Sequence, residues 1–121
     1  MGSKRMSPAI IIAIVLGIAT IFLMRQRMSG QFVDSAQAHQ LVQDGARLID
    51  VRSPGEYASG HIDGARNIPL DQIGNRTKDV GRKDKPVVVY CRSGMRSAQA
   101  KTKLEAAGFT EVYNLGGMSR W

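Results

Sequence analysis

The stretch Val87-Val88-Val89-Tyr90-Cys91-Arg92-Ser93-Gly94-Met95-Arg96-Ser97 decides the fold. Three β-branched residues and a tyrosine follow the Lys85-Pro86 break and read as a buried strand. That strand runs directly into Cys91, the only cysteine of the 121-residue chain. Beyond the loop comes a helical pattern, Ala98, Ala100, Leu104, Ala106 and Ala107, ending at Gly108. Strand, tight loop and helix point backbone N–H groups and a helix N-terminus at the cysteine sulfur. The positive end of the helix dipole and the guanidinium groups of Arg92 and Arg96 favour a thiolate there. A lone cysteine in a small domain is most often an inert buried hydrophobe. A core cysteine seldom sits between two arginines at a strand's C-terminal end, where parallel sheets hold ligands. Cys91 is therefore expected to be a nucleophile in an anion-binding cradle.

Working outward, short apolar strands alternate with helices. Phe32-Val33 could start a strand, and Asp34 or Ser35 then caps a helix with Ala36, Ala38, Leu41 and Val42 on its apolar side. Arg47–Val51 reads as a strand, Glu56-Tyr57-Ala58 as a helical turn, and Ala65–Ile68 as a strand stopped by Pro69. Leu70–Ile73 starts a helix, residues 75–84 read as a polar, basic loop, and Phe109–Leu115 gives the last strand before Gly116-Gly117 turns toward Trp121. The expected fold class is α/β: residues 32–121 as one domain with a central parallel sheet flanked by helices.

The N-terminal quarter differs in kind. Residues 1–7 are a basic leader, and Pro8 to Met24 is a run of 17 residues without a charge. As a helix it would rise about 25 Å, a little short of a ~30 Å hydrocarbon core. Because the run is apolar on every face and Arg25 and Arg27 follow it at once, it reads as an uncleaved transmembrane anchor rather than a signal peptide or core helix. Residues 8–24 would then meet the lipid bilayer in a single pass, with 25–31 as linker. Lys4 and Arg5 tie with Arg25 and Arg27, so charge leaves the domain's side undecided. The thiol supply of the cytoplasm argues for that face.

The net charge of +7 divides into +4 over residues 1–30, which hold no acid, and +3 over the rest. That is an ordinary surface with a modest bias toward anionic ligands, and no basic helix or aromatic platform points to nucleic acid. One cysteine allows no intrachain disulfide. His39 reads as solvated on the first helix and His61 as a hydrogen-bonded structural residue. With Cys91 they have no metal-ligand spacing, so neither metal nor cofactor is expected.

Taken together, Leu48-Ile49-Asp50-Val51-Arg52, Glu56-Tyr57, Gly60-His61-Ile62-Asp63-Gly64-Ala65 and Asn67-Ile68-Pro69 resemble the N-terminal signature of a rhodanese domain. Tyr90 to Ser97 resembles its active-site loop, and Gly108-Phe109, Val112, Leu115-Gly116-Gly117 and Trp121 its C-terminal signature. The family usually continues past this tryptophan, so the final turn is expected to be frayed or incomplete. The resemblance implies sulfur transfer. Cys91 would take a sulfane sulfur from thiosulfate or a persulfide donor and hand it, through a persulfide, to a thiol or to cyanide. The amides of Ser93, Gly94 and Met95 would hold the persulfide charge, and Arg92 and Arg96 the donor's oxyanion. Asp50 and Arg52 would support the sheet edge, Ser97 would support the loop, and Glu56 would pair with an arginine or cap a turn. The rivals are a membrane-tethered rhodanese-scaffold binding or sulfur-relay module without turnover and a cysteine phosphatase or arsenate reductase. The phosphatase loop, Cys-x5-Arg, is one residue longer than Cys91–Arg96.

Overall fold

The five residues Val87–Cys91 are all buried in the computed structural model, which describes residues 4–28 and 32–121. The chain divides into two units, residues 1–31 and 32–121. The first contains α1 (Pro8–Met28). The second contains, in order, α2 (Ser35–Gln43), β1 (Arg47–Asp50), α3 (Pro54–Ala58), β2 (Arg66–Asn67), α4 (Leu70–Ile73), α5 (Thr77–Val80), β3 (Val87–Cys91), α6 (Met95–Ala106) and β4 (Val112–Gly117). A 3-10 turn over Met118–Arg120 closes it.

Helix α1 starts with Pro8 at its first position, where the missing N–H costs nothing, and Ser7 accepts from the Ile10 N–H. Among the described residues no helix is long and apolar enough to cross a membrane. This corrects the expected transmembrane span over residues 8–24, and with it the bilayer contact and the single-pass location. The uncharged run is the reason: about 25 Å of rise falls short of about 30 Å of hydrocarbon, and the helix continues into Arg25 and Arg27. Residues 1–3 of the leader and 29–31 of the linker lie outside the described residues.

In residues 32–121 the four strands are parallel, in the order β2-β1-β3-β4. A central parallel strand is covered on both faces and reads as a continuous apolar run, as β3 does. Its side chains alternate between two cores. Val87, Val89 and Cys91 pack with Ile49, Val51, Leu104 and Phe109 on one face. Val88 and Tyr90 pack with Ala38, Leu48, Ile62 and Leu115 on the other. Helix α2 forms because the Asp34 carboxylate accepts from the Gln37 N–H at 2.7 Å. That cap ends the extended approach at once: Val33 makes one bond to the Asn114 carbonyl, 2.8 Å, and no strand.

Three further segments depart from the pattern. Residues 75–84 contain α5, held by the Arg76–Asp79 ion pair at 2.8 Å and by a fully buried Val80. The last strand begins only at Val112, since the Phe109 N–H turns back to the Leu104 carbonyl, 3.1 Å, and finishes α6. It then runs on through Gly116 and Gly117, because the Asn114 side chain accepts from the Gly116 N–H at 2.8 Å and makes a bulge at Leu115. His39 is not simply solvated. Its ring stacks on Trp121 at 3.6 Å, and Ser35 Oγ donates to the Trp121 carbonyl at 2.6 Å, which ties the final turn to α2.

Asp50 is completely buried, and its carboxylate takes both the backbone N–H and the guanidinium of Arg52, the latter at 2.7 Å. Removing one member of such a pair strands the other charge. Asp50→Ala is expected to cost about 3–5 kcal/mol in urea unfolding, and adding Arg52→Met should recover part of it. A loss below about 1 kcal/mol would show that the pair is not buried in solution.

Candidate active site

Cys91 ends β3 opposite Gly117 of β4. Beyond it the chain must reverse within three residues to enter α6. Gly94 makes this possible with φ at +102°, a backbone region L side chains rarely adopt. A Cβ there would also meet the Phe32 ring at 2.9 Å. The turn brings the Gly94 N–H to 2.9 Å from Cys91 Sγ. Ser97, in the first turn of α6 and fully buried, places its hydroxyl 3.3 Å from the same sulfur and donates to the Gly94 carbonyl at 3.1 Å. This hydroxyl has one proton and two acceptors in reach. It serves the carbonyl while the thiol is protonated, and can turn to the sulfur once the thiolate forms. No side chain caps α6, so its N-terminal amides are left to the loop. Gly117 closes the other side: a Cβ there would lie 2.5 Å from the Arg92 carbonyl.

Two influences oppose each other at the sulfur. Burial, the largest, raises the Cys91 pKa. Hydrogen bonds from the Ser97 hydroxyl and N–H, and from the Gly94 and Ser93 amides, lower it. The donors together prevail, and the thiol is held below its ordinary value.

The remaining predicted residues fall into two groups. Ser93, Gly94 and Met95 form the loop with Cys91, and Arg92 lies exposed on its rim without an ion pair among the described residues. Met95 is 73% exposed, and it is the large apolar side chain that the 32–121 unit leaves open to solvent among its described residues. Arg96 is already engaged. Its guanidinium makes a two-pronged pair with Glu56, at 2.6 and 2.9 Å. Arg96 pulls the Glu56 carboxyl down to about 2, although partial burial works the other way. Glu56 also closes a capping box with Ser53 at the start of α3, so one carboxylate joins that helix to the cysteine loop. Asp50 and Arg52 stand behind the site: Arg52 bonds the Gly60 carbonyl at 2.7 Å and lies over the Tyr90 ring. His61 stacks on Tyr57 at 3.7 Å and bonds its carbonyl, away from the sulfur's contacts. Among the described residues no group of three or more His, Cys, Asp or Glu side chains could hold a metal ion.

A strand-end cysteine in an amide-lined loop, on a four-stranded parallel sheet, agrees with what comparison of the sequence shows. The Rhodanese-like domain family model matches residues 34–121. The chain belongs to the rhodanese-like family. It is 45% identical to the thiosulfate sulfurtransferase PspE of Escherichia coli over 71 residues, 58% of this chain and 68% of that one. It is 52% identical over 77 residues to the uncharacterized protein YqhL of Bacillus subtilis, covering 63% of this chain but only 60% of that protein's length. A solved E. coli structure described as a rhodanese with anions superposes with a TM-score of 0.61 at 41% identity, covering 64% of this chain and 92% of that one.

In this rhodanese-like domain the supports supplied from elsewhere in the chain, Phe32 behind Gly94 and Gly117 beneath Arg92, escape a reading of the loop alone. The positive φ of a glycine marks the need for such neighbours but not their identity. Because the donors outweigh burial, Cys91 should react with iodoacetamide along a pH curve whose midpoint lies below the ~8.5 of a free thiol. Ser97→Ala should move that midpoint upward, since a donor to the thiolate is lost. A curve unchanged by this substitution would remove the serine from the set of stabilising donors.

Proposed function

We propose that this rhodanese-like protein is a sulfurtransferase that carries sulfane sulfur on Cys91, from thiosulfate or a persulfide donor to a thiophilic acceptor. The observation that carries the reading is the 2.9 Å approach of the Gly94 N–H to Sγ inside a loop whose donors favour the anion. Similarity to sulfurtransferases such as PspE supports it. In the first half-reaction the Cys91 thiolate attacks the outer sulfur of thiosulfate. The S–S bond of the donor breaks, sulfite leaves with its electron pair, and Cys91 keeps a persulfide anion. In the second, an acceptor thiol attacks that outer sulfur and its proton passes to the transferred sulfur. The Cys91 thiolate is restored. The loop donors lower the thiol's pKa and favour the thiolate, so this reading assigns no general base.

The arginines divide the work. Arg96, its charge matched by Glu56, holds the loop in shape, while the exposed Arg92 meets the negative sulfonate end of the donor. The four residues between Cys91 and Arg96 make a ring smaller than a phosphatase loop and suited to one sulfur atom. Incubation with thiosulfate should raise the intact mass by one sulfur atom, and Cys91→Ala should abolish the gain. No gain with any sulfane donor would leave a binding module on this fold. Arg92→Ala should raise KM for thiosulfate several-fold more than KM for an uncharged persulfide donor, about the effect of losing one charge-assisted contact. Equal changes for the two donors would remove Arg92 from donor binding.

A further inference from the structure

A cleft of about 410 Å³ opens beside the cysteine loop, between the start of α3, the β2–α4 connection and α6. Arg96 lines it at the loop end. Val51, also on its wall, belongs to the same apolar cluster as Cys91. Its remaining apolar wall is Pro54, Pro69 and Leu70. Two charges of opposite sign, Asp71 on α4 and Lys103 on α6, also line it. The Lys103 ammonium lies 3.5 Å from the Leu70 carbonyl, next in sequence to Asp71, yet no ion pair joins the two among the described residues. Neighbouring exposed charges that leave each other free can each take a partner on one ligand. The Arg96 charge is already matched by Glu56, so it adds no net demand for an anion.

We infer that this cleft binds the sulfur acceptor, and that the acceptor is a small zwitterionic thiol of the α-amino-acid type. Its carboxylate meets Lys103, its ammonium meets Asp71, and its methylene lies on Leu70 and the two prolines. Its sulfur is then directed along the Arg96 side toward the Cys91 persulfide. The inference rests on the sulfurtransferase reading and adds the chemical class of the second substrate. The transfer balances: the acceptor thiol forms a bond to the outer sulfur, the bond from that sulfur to Cys91 breaks, and the thiol proton ends on the new persulfide.

The test uses the full chain, loaded with thiosulfate and discharged by four thiols: cysteine, cysteamine, 3-mercaptopropionate and 2-mercaptoethanol. Each thiol is compared with itself between variants, so its own acidity cancels. Lys103→Gln is expected to lower kcat/KM for cysteine and 3-mercaptopropionate about fivefold more than for the other two, the scale of one exposed ion pair. Asp71→Asn should do the same for cysteine and cysteamine. Losses that are uniform across the four thiols, or no loss with cysteine in either variant, would overturn the inference. Mass gain on loading and discharge by cyanide, both measured on the unsubstituted chain, test the underlying reading separately. If they fail, the sulfurtransferase reading falls; if they succeed and the charge pattern is flat, only the acceptor assignment does.

Discussion

The hydrogen bond from the Gly94 N–H to the Cys91 sulfur needs a backbone that only glycine adopts readily, and much of the domain is arranged around that requirement. A left-handed residue three positions past the end of a buried strand reverses the chain in the shortest distance. It also frees the first turn of α6 from any side-chain cap, so the amides that a cap would occupy face the sulfur instead. Phe32 fills the space where a side chain at residue 94 would stand, and Gly117 lets the Arg92 carbonyl pass close to β4. The bulge at Leu115 is part of the same fit. It shifts the register of β4 by one residue just before the strand meets Cys91, so that glycine stands opposite both Tyr90 and Cys91.

Charge is handled in two layers behind this loop. The inner one, Asp50 with Arg52, is buried and costly to desolvate. Such a pair is weak evidence for stability. It anchors the Gly60 carbonyl and backs the Tyr90 ring, whose hydroxyl accepts from the Ile62 N–H at 3.1 Å. The outer layer, Glu56 with Arg96, is half open to solvent and joins α3 to α6. Glu56 titrates at about 2 against an ordinary 4.5. Its tie to Arg96 is therefore complete above about pH 5 and is lost as the pH falls through about 2, the sign expected for a depressed carboxylate.

What could be read from the sequence is what depends on neighbours along the chain. The Val-Val-Val-Tyr run, the Asp34 cap, the loop glycine and the lone cysteine between arginines all declare themselves within a few residues. What could not be read depends on partners far away: Arg96 meets Glu56 across 40 residues, and the Trp121 carbonyl meets His39 across 82. Helix α5 was hidden because it is a single short turn with three polar residues, and only Val80 reaches the core. The N-terminal run misled for a different reason. Hydropathy there is uniform, and the deciding quantity is the length of the uncharged run, whose rise of about 25 Å falls short of ~30 Å of hydrocarbon before Arg25 and Arg27 follow.

The sulfur is entirely buried, yet the reaction proposed for it needs outside molecules to reach it, and the loop resolves this by its size. A persulfide adds one S–S bond of about 2.05 Å to Sγ, so the transferred atom stays within reach of amides that already favour an anion. The donor need bring only its outer sulfur to Sγ, and the acceptor need touch only that transferred atom, not the cysteine itself. Burial then becomes useful: it raises the cost of a free thiolate in isolation, but it also keeps water from competing for the donors that stabilise the charge. A wider loop would admit a tetrahedral oxyanion to the floor of the site and give up this exclusion. The pair between Glu56 and Arg96 works in the same direction, because an arginine matched by a carboxylate holds the loop closed without drawing a second anion into it.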